Sequence, residues 1–179
     1  MVKVNLNELS ETERHGMKKF DFRYLIIAVT IGLLGFWAYH LIVTRTPQVV
    51  EPRFEGTPTE LVRETNTIRA LHDLMPLKEN PTLNLVASDK CQDMVKRNYF
   101  EHVDPDGKEV YEIFKARGLE YKIAGENLAY NYNKTLTVIG EWYKSPTHRK
   151  NLVEPQFTEV GHAICLDKNY FKIVQVFRG

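Results

Sequence analysis

The chemistry this chain could perform rests on three side chains: His102, Glu126 and His148. His102 stands in Phe100-Glu101-His102-Val103-Asp104-Pro105-Asp106-Gly107, which leaves an apolar-periodic segment and closes on a strong turn signal. Glu126 stands in Gly125-Glu126-Asn127, and His148 in Ser145-Pro146-Thr147-His148-Arg149-Lys150-Asn151. Each is expected at an element end, where a fold can bring side chains into one cleft. Two imidazoles and a carboxylate suit a divalent cation or a general acid–base pair.

The elements that must deliver these residues follow from periodicity. Asn80-Pro81 is a cap followed by a first helical position, and Leu83, Val86, Ala87, Cys91, Met94 and Val95 share one face of the helix it opens. That helix should run to about Asn98 and place His102 just past its C-terminus. Upstream, Thr57-Pro58-Thr59-Glu60 predicts a capping box, with Leu61, Ile68, Leu71 and Met75 turned inward. Glu109 to Arg117 reads as a third helix with Val110, Ile113 and Phe114 inside and Gly118 as its stop. Thr135 to Tyr143 reads as a fourth, burying Leu136, Ile139 and Trp142 or Tyr143. Ser145-Pro146 ends it and leaves His148 in a polar loop.

The period then changes. Thr158 to Leu166 and Tyr170 to Phe177 are rich in β-formers around a three-residue Asp167-Lys168-Asn169 loop, and a short strand fits Leu119 to Ala124. The fold class is α+β, helices on a small antiparallel sheet. A domain of about 120 residues buries on the order of two-thirds of its unfolded surface.

Ahead of this domain, Tyr24 to Val43 is a run of 20 residues without a formal charge. As a helix rising about 1.5 Å per residue it covers roughly 30 Å, the thickness of a bilayer's hydrocarbon core. The run is longer than a cleaved signal's apolar region, and Thr44-Arg45-Thr46-Pro47 replaces the small-residue cleavage pattern. Lys3, Arg14, Lys18, Lys19 and Arg23 precede it, whereas only Arg45 and Arg53 follow closely. The expected organisation is a cytoplasmic tail (1–23), a transmembrane signal anchor in the bilayer (24–43), a stalk (44–57) and an extracellular domain (58–179). The net charge of +1, with no basic stripe among aromatics, argues against nucleic acid as a partner.

Several motifs fall in one order: Asn66-x-x-Arg69, Pro76-Leu77-x-x-Asn80, His102-x-Asp104-Pro105-Asp106-Gly107, Gly125-Glu126-Asn127, Trp142-x-x-Ser145-Pro146-x-His148-Arg149-x-Asn151, and Phe157-Thr158-Glu159-Val160-Gly161. The sequence closely resembles the CAP superfamily (cysteine-rich secretory proteins, antigen 5 and plant pathogenesis-related proteins) in its bacterial SCP-like branch, over roughly residues 60 to 178. The resemblance implies a three-layer α-β-α sandwich, extracellular placement and binding more often than catalysis. It also implies a cleft of two histidines and two acids, in which some members hold a divalent metal, typically zinc. Carried onto this chain, the histidines are His102 and His148, which would be the metal ligands, and the first acid is Glu126. Where eukaryotic members have the second acid this chain has Ser145, and Glu141 is the nearest carboxyl that could stand in. Zinc held by two histidines and waters would be weakly bound.

Other readings compete at each position. His102 could simply complement a helix dipole, and Glu126 could tie down loop amides. Asn127 and Asn151 read as loop-holding residues. His162 shares a strand face with Val160, Ile164 and Leu166 and reads as packed; His15, His40 and His72 receive no role. Tyr130, Tyr132 and Tyr143 could line the cleft for a sugar or lipid, or pack in the core. Asp104-x-Asp106 fails as a calcium loop, because Lys108 and Glu109 stand where a ligand and the glycine belong. Ser145 is the candidate hydroxyl near His148 and reads as a turn cap. Cys91 and Cys165 sit on apolar-periodic elements and read as small core hydrophobes more than as a bridge, although an extracellular site permits one. The leading functional expectation is a binding module for an envelope lipid, glycan or peptide, with a divalent metal as accessory. Its rival is a metal-assisted hydrolase using Glu126 as general base.

Overall fold

The computed structural model describes residues 22–45 and 51–179, which form two separate compact units. Residues 1–21 of the expected tail, with His15, and residues 46–50 of the expected stalk fall outside the described residues.

The first unit is one helix, α1 (Phe22–Arg45). Its segment Leu25–Val43 has a mean hydropathy of 2.1 and is exposed along its whole length, so it is long and apolar enough to cross a membrane. The Thr30 hydroxyl donates to Ile26 and Ile27 carbonyls, which satisfies it within the helix. His40 lies against the Phe36 ring.

The second unit is a three-layer α-β-α sandwich. In chain order it comprises α2 (Pro58–Ala70), β1 (Lys78–Glu79), α3 (Pro81–Lys96), α4 (Val110–Ala116), β2 (Ala124–Tyr130), α5 (Thr135–Lys144), α6 (Pro146–Leu152), β3 (Glu159–Asp167) and β4 (Tyr170–Arg178). The strands lie in the order β1-β3-β4-β2, antiparallel except for the two-residue β1–β3 pairing. Leu61, Val138, Ile139, Trp142 and Leu152 bring α2, α5 and α6 onto one face, over Val160, Ile173 and Phe177. Leu83, Val86, Ala87, Met94, Val110 and Phe114 bring α3 and α4 onto the other, over Leu128, Ala163, Val174 and Val176. At Gly161 an added Cβ would lie 2.3 Å from the Leu83 carbonyl carbon, so only glycine lets α3 lie this close to β3.

Local signals explain the helix starts. The Thr57 hydroxyl accepts from the Glu60 amide while the Glu60 carboxylate accepts from the Thr57 amide. Asn80 caps α3 through the amides of Thr82 and Leu83. The Asn66-x-x-Arg69 spacing has a packing cause. Asn66 exchanges two bonds with the Leu77 backbone. Arg69, fully buried, donates to the carbonyls of Met75, Leu152, Glu154 and Phe157, tying the segment after α6 to α2.

The structure departs from the sequence reading at several points. Leu71 and Met75 are exposed because α2 ends at Ala70, and Leu136 is exposed because Val138 takes the inward position on α5. The β3–β4 turn has two residues, Lys168 and Asn169, since Asp167 pairs with Tyr170. The strand expected at 119–124 starts at Ala124, so Glu126 lies on β2 and not in a loop. His148 lies on α6, because Pro146 opens a new helix immediately after α5 closes. Residues 51–57, expected in the stalk, lie against the domain: Glu55 bonds the Asn133 and Thr135 backbones, and Phe54 packs edge-on to Phe171.

Cys91 and Cys165 form a disulfide, contrary to their reading as free core residues. Packing α3 against β3 brings their Cα atoms to 6.1 Å, well within bridging range. The bridge closes a loop across a sequence separation of 74 residues. For a loop of that size the chain-entropy account gives about 4 kcal/mol. Reduction, or Cys91→Ala with Cys165→Ala, should therefore lower the unfolding free energy by an amount of that order, read as a lower denaturant midpoint at constant slope; an unchanged midpoint would remove the bridge as a source of stability.

Candidate functional site

β2 is an edge strand, and its free edge is covered from outside. Trp142 Nε1 donates to the Leu128 carbonyl at 2.9 Å and Asn151 Nδ2 to the Glu126 carbonyl at 2.9 Å. Side chains alternate along a strand, so Glu126 faces the α3/α4 layer while Asn127 faces the α2/α5/α6 layer. The candidate site sits where the two layers meet this edge.

On the α3 side, the Glu126 side chain is buried to 4% exposure and meets His102, whose Nδ1 lies 2.5 Å from Glu126 Oε1. A carboxylate only accepts, so Nδ1 carries the proton and the neutral ring keeps Nε2 as a free lone pair. His102 is half-exposed, and its loop is held by Lys90, a buried lysine donating to the His102 carbonyl at 2.8 Å and to the Tyr99 hydroxyl. Downstream, Asp104 accepts from the backbone amides of Asp106 and Lys108, and Arg97 pairs with Asp93, Asp104 and Asp106. The Asp-Pro-Asp-Gly turn is therefore scaffolding.

On the α6 side, Asn151 also donates to Asn127 Oδ1 at 2.8 Å, and Asn127 donates to the His148 carbonyl at 3.3 Å and to Gln175 Oε1 at 2.9 Å. Both asparagines hold backbone, as their loop reading anticipates. Gln175 continues the chain inward to Thr65 and to His162 Nε2. Gly125 leaves room for this clip, since an added Cβ would lie 3.1 Å from Asn151 Oδ1.

A cavity of about 350 Å³ opens here, lined by His102, Glu109, Tyr111, Gly125, Glu126 and Asn151. Of the lining residues, Glu126 has one carboxylate oxygen, Oε2, that is buried and has no hydrogen-bond partner among the described residues. His148 does not line this cavity but is half-buried beside it, near enough for His102 to act on its charge. Glu141 and Ser145 are elsewhere. Glu141 pairs with Lys144 on the surface of α5, and Ser145 shares a hydrogen bond with Thr147 at the start of α6 without capping it. Neither supplies a second acid or a nucleophile to the cavity. Tyr143 shares a hydrogen bond with His72 and lies beneath Arg149, and Tyr132 lines a separate cavity with Phe171.

The fit of these donors to a metal is limited. His102 Nε2 and the His148 ring are available, but no group of three His, Cys, Asp or Glu side chains among the described residues could hold an ion. Structural and catalytic zinc centres take three or four protein ligands, more than this set supplies among the described residues. Lys90 escaped sequence reasoning because a buried lysine leaves no periodic signature.

The histidines titrate in opposite senses. The hydrogen bond to Glu126 raises the His102 pKa against the effect of burial. Burial, and then the charge of His102, lower that of His148. His162, wholly buried, is pushed down to about 3 by desolvation.

Known proteins resemble this chain in sequence and in fold. A family model described as "Cysteine-rich secretory protein family" matches residues 62–177. YkwD of Bacillus subtilis is 38% identical over 102 residues, 57% of this chain and 40% of that protein. A B. subtilis membrane protein, YlbC, is 32% identical over 107 residues, 60% of this chain and 30% of that protein. The chain thus matches well under half the length of either. Among solved structures, an extracellular protein containing an SCP domain from Bacillus anthracis aligns with TM-score 0.60 at 28% identity, covering 68% of this chain and 39% of that one. An outer surface protein of Borrelia burgdorferi aligns with TM-score 0.62 at 20% identity, covering 67% of this chain and 90% of that one, and shares the fold.

Two outcomes test the electrostatics. Glu126→Gln should lower the His102 pKa, read from imidazole shifts in NMR titration; an unmoved value would mean the pair does not set it. His162 is lowered in the fold relative to about 6.5 unfolded, so the unfolded chain takes up its proton first. Stability should be full above about 6.5 and fall toward about 3, with a slope of up to about 1.4 kcal/mol per pH unit from this group. His162→Gln should flatten that acid limb in urea denaturation.

Proposed function

Because this chain belongs to the cysteine-rich secretory protein (CAP) family, we propose that it is a membrane-tethered, outward-facing binding module whose His102–Glu126 cavity captures a cell-envelope ligand. One observation carries the reading. Glu126 lines the cavity, and one of its carboxylate oxygens, Oε2, is buried without a partner among the described residues, beside an imidazole held with its own acceptor free. Leaving such a group unmet costs about 1–3 kcal/mol or more, a cost that a donating ligand relieves. Tethering is supported by α1 and by likeness to YlbC, which is named a membrane protein; outward placement is supported by the basic flank of residues 1–23 and by the B. anthracis relative, which is named extracellular.

A divalent cation on His102 Nε2 and His148 would act as an accessory, polarising a ligand oxygen while bound, and its hold would be weak. The hydrolase reading has one point in its favour, the carboxylate-oriented imidazole, which is the form of a general base. Against it, Glu126 is engaged by His102 and so is not the free base that reading needs, and no serine, threonine or cysteine lines the cavity.

The test is recovery of the full-length chain from its native membrane in mild detergent, followed by mass spectrometry of co-purifying envelope material. Wild type should carry a species that His102→Ala loses by about tenfold, a difference of about 1.4 kcal/mol. Equal recovery from both, with the variant folded by circular dichroism, would overturn the assignment of the cavity.

A further inference from the structure

The two segments that supply the His102–Glu126 pair also carry a run of aromatic rings. Phe100 lies two residues before His102, and Tyr130 lies four after Glu126 on the same face of β2. The Phe100 and Tyr130 ring centroids are 5.4 Å apart, and Tyr130 continues to Tyr170 of β4 at 5.6 Å. Alternation along β4 puts Tyr170 on the same face as Val174, and hence as Leu128 and Glu126. The rings are tilted by 42° and 48°, with Tyr130 as the middle ring of the three. Tyr130 is 41% and Tyr170 45% exposed, and neither hydroxyl has a hydrogen-bond partner among the described residues. Phe100 packs at the margin of the α3/α4 core, whereas the two tyrosine rings stand out of it.

We propose that Phe100, Tyr130 and Tyr170 form an aromatic platform that binds the sugar rings of a glycan chain extending from the His102–Glu126 cavity. This rests on the reading of that cavity as a ligand site and selects the ligand class within it. Pyranose rings present C–H faces to the electron-rich faces of aromatic rings, and their hydroxyls donate to acceptors. The platform offers the first surface, with free phenol groups at its edge, and the Glu126 and Glu109 side chains that line the cavity offer the second. A lipid tail would need a continuous apolar groove, whereas the cavity lining is mainly His102, Glu109, Tyr111, Glu126 and Asn151. An extended peptide adding to the sheet would need the free edge of β2, where Trp142 and Asn151 already occupy carbonyls.

The test uses full-length protein in detergent, titrated calorimetrically with chitotetraose and with N-acetylglucosamine. The tetramer should bind at least about tenfold more tightly than the monomer, and Tyr130→Ala with Tyr170→Ala should remove that gain, on the scale of about two- to tenfold per ring. Tyr130→Phe with Tyr170→Phe should retain most of it, which separates lost stacking from misfolding. Equal affinity for tetramer and monomer, no binding of either, or a gain untouched by the alanine pair would overturn the platform. Binding of a stem peptide or of lipid vesicles that depends on His102 while chitotetraose fails would sink the glycan and leave the cavity standing. Indifference of every probe to His102→Ala would sink the cavity reading itself.

Discussion

The arrangement depends on a buried chain of carboxamides that crosses the edge of the sheet. Asn151 on α6 holds the Glu126 carbonyl and Asn127; Asn127 holds the His148 carbonyl and Gln175; Gln175 reaches Thr65 on α2 and His162 on β3. Amides are directional, with separate donor and acceptor ends, so each bond fixes the orientation of the next. In a dry interior such a chain is costly unless fully paired, and here every one of the three amide groups donates to two partners. The result is that α6 can dock on β2 in one register only, and that register sets where His148 stands.

The same edge explains why two layers are needed for one site. Glu126 and Asn127 are neighbours in the chain yet look to opposite sides of the sheet. Glu126 draws His102 from the loop after α3, while Asn127 and Asn151 draw α6 from the other layer. Lys90 adds to this by clamping the His102 backbone and placing a cation near the buried carboxylate. Glu126 thus spends one oxygen on His102, and the other is left for something else.

The Cys91–Cys165 bridge and the Arg69 clamp do related work at a distance. The bridge ties α3, which positions His102, to β3, and Arg69 ties the exit of α6 to α2. The bridge thus fixes a helix against the sheet that carries Glu126, and the clamp fixes α6, which carries His148, against α2. The family relationship fits this division: the motifs that carry the resemblance are largely packing devices, among them Asn66, Arg69, Asn80, Gly161 and Asn151, and fewer residues face the cavity.

Much was legible in the chain alone. Capping signals located the starts of α2 and α3, β-forming runs around a turn signal located the β3–β4 hairpin, and the charge-free run located α1, because all are local consequences of backbone geometry and side-chain polarity. The order of motifs named His102, Glu126 and His148. Tertiary structure decided what these residues do to one another. It put Glu126 on a strand and His148 on a helix, turned Glu126 from a prospective base into the partner of His102 Nδ1, and set Glu141 and Ser145 aside on the surface. It also closed the disulfide and buried Lys90. None of these has a local signature, since each depends on which face of β2 meets which helix, and a one-residue difference in register reverses that answer.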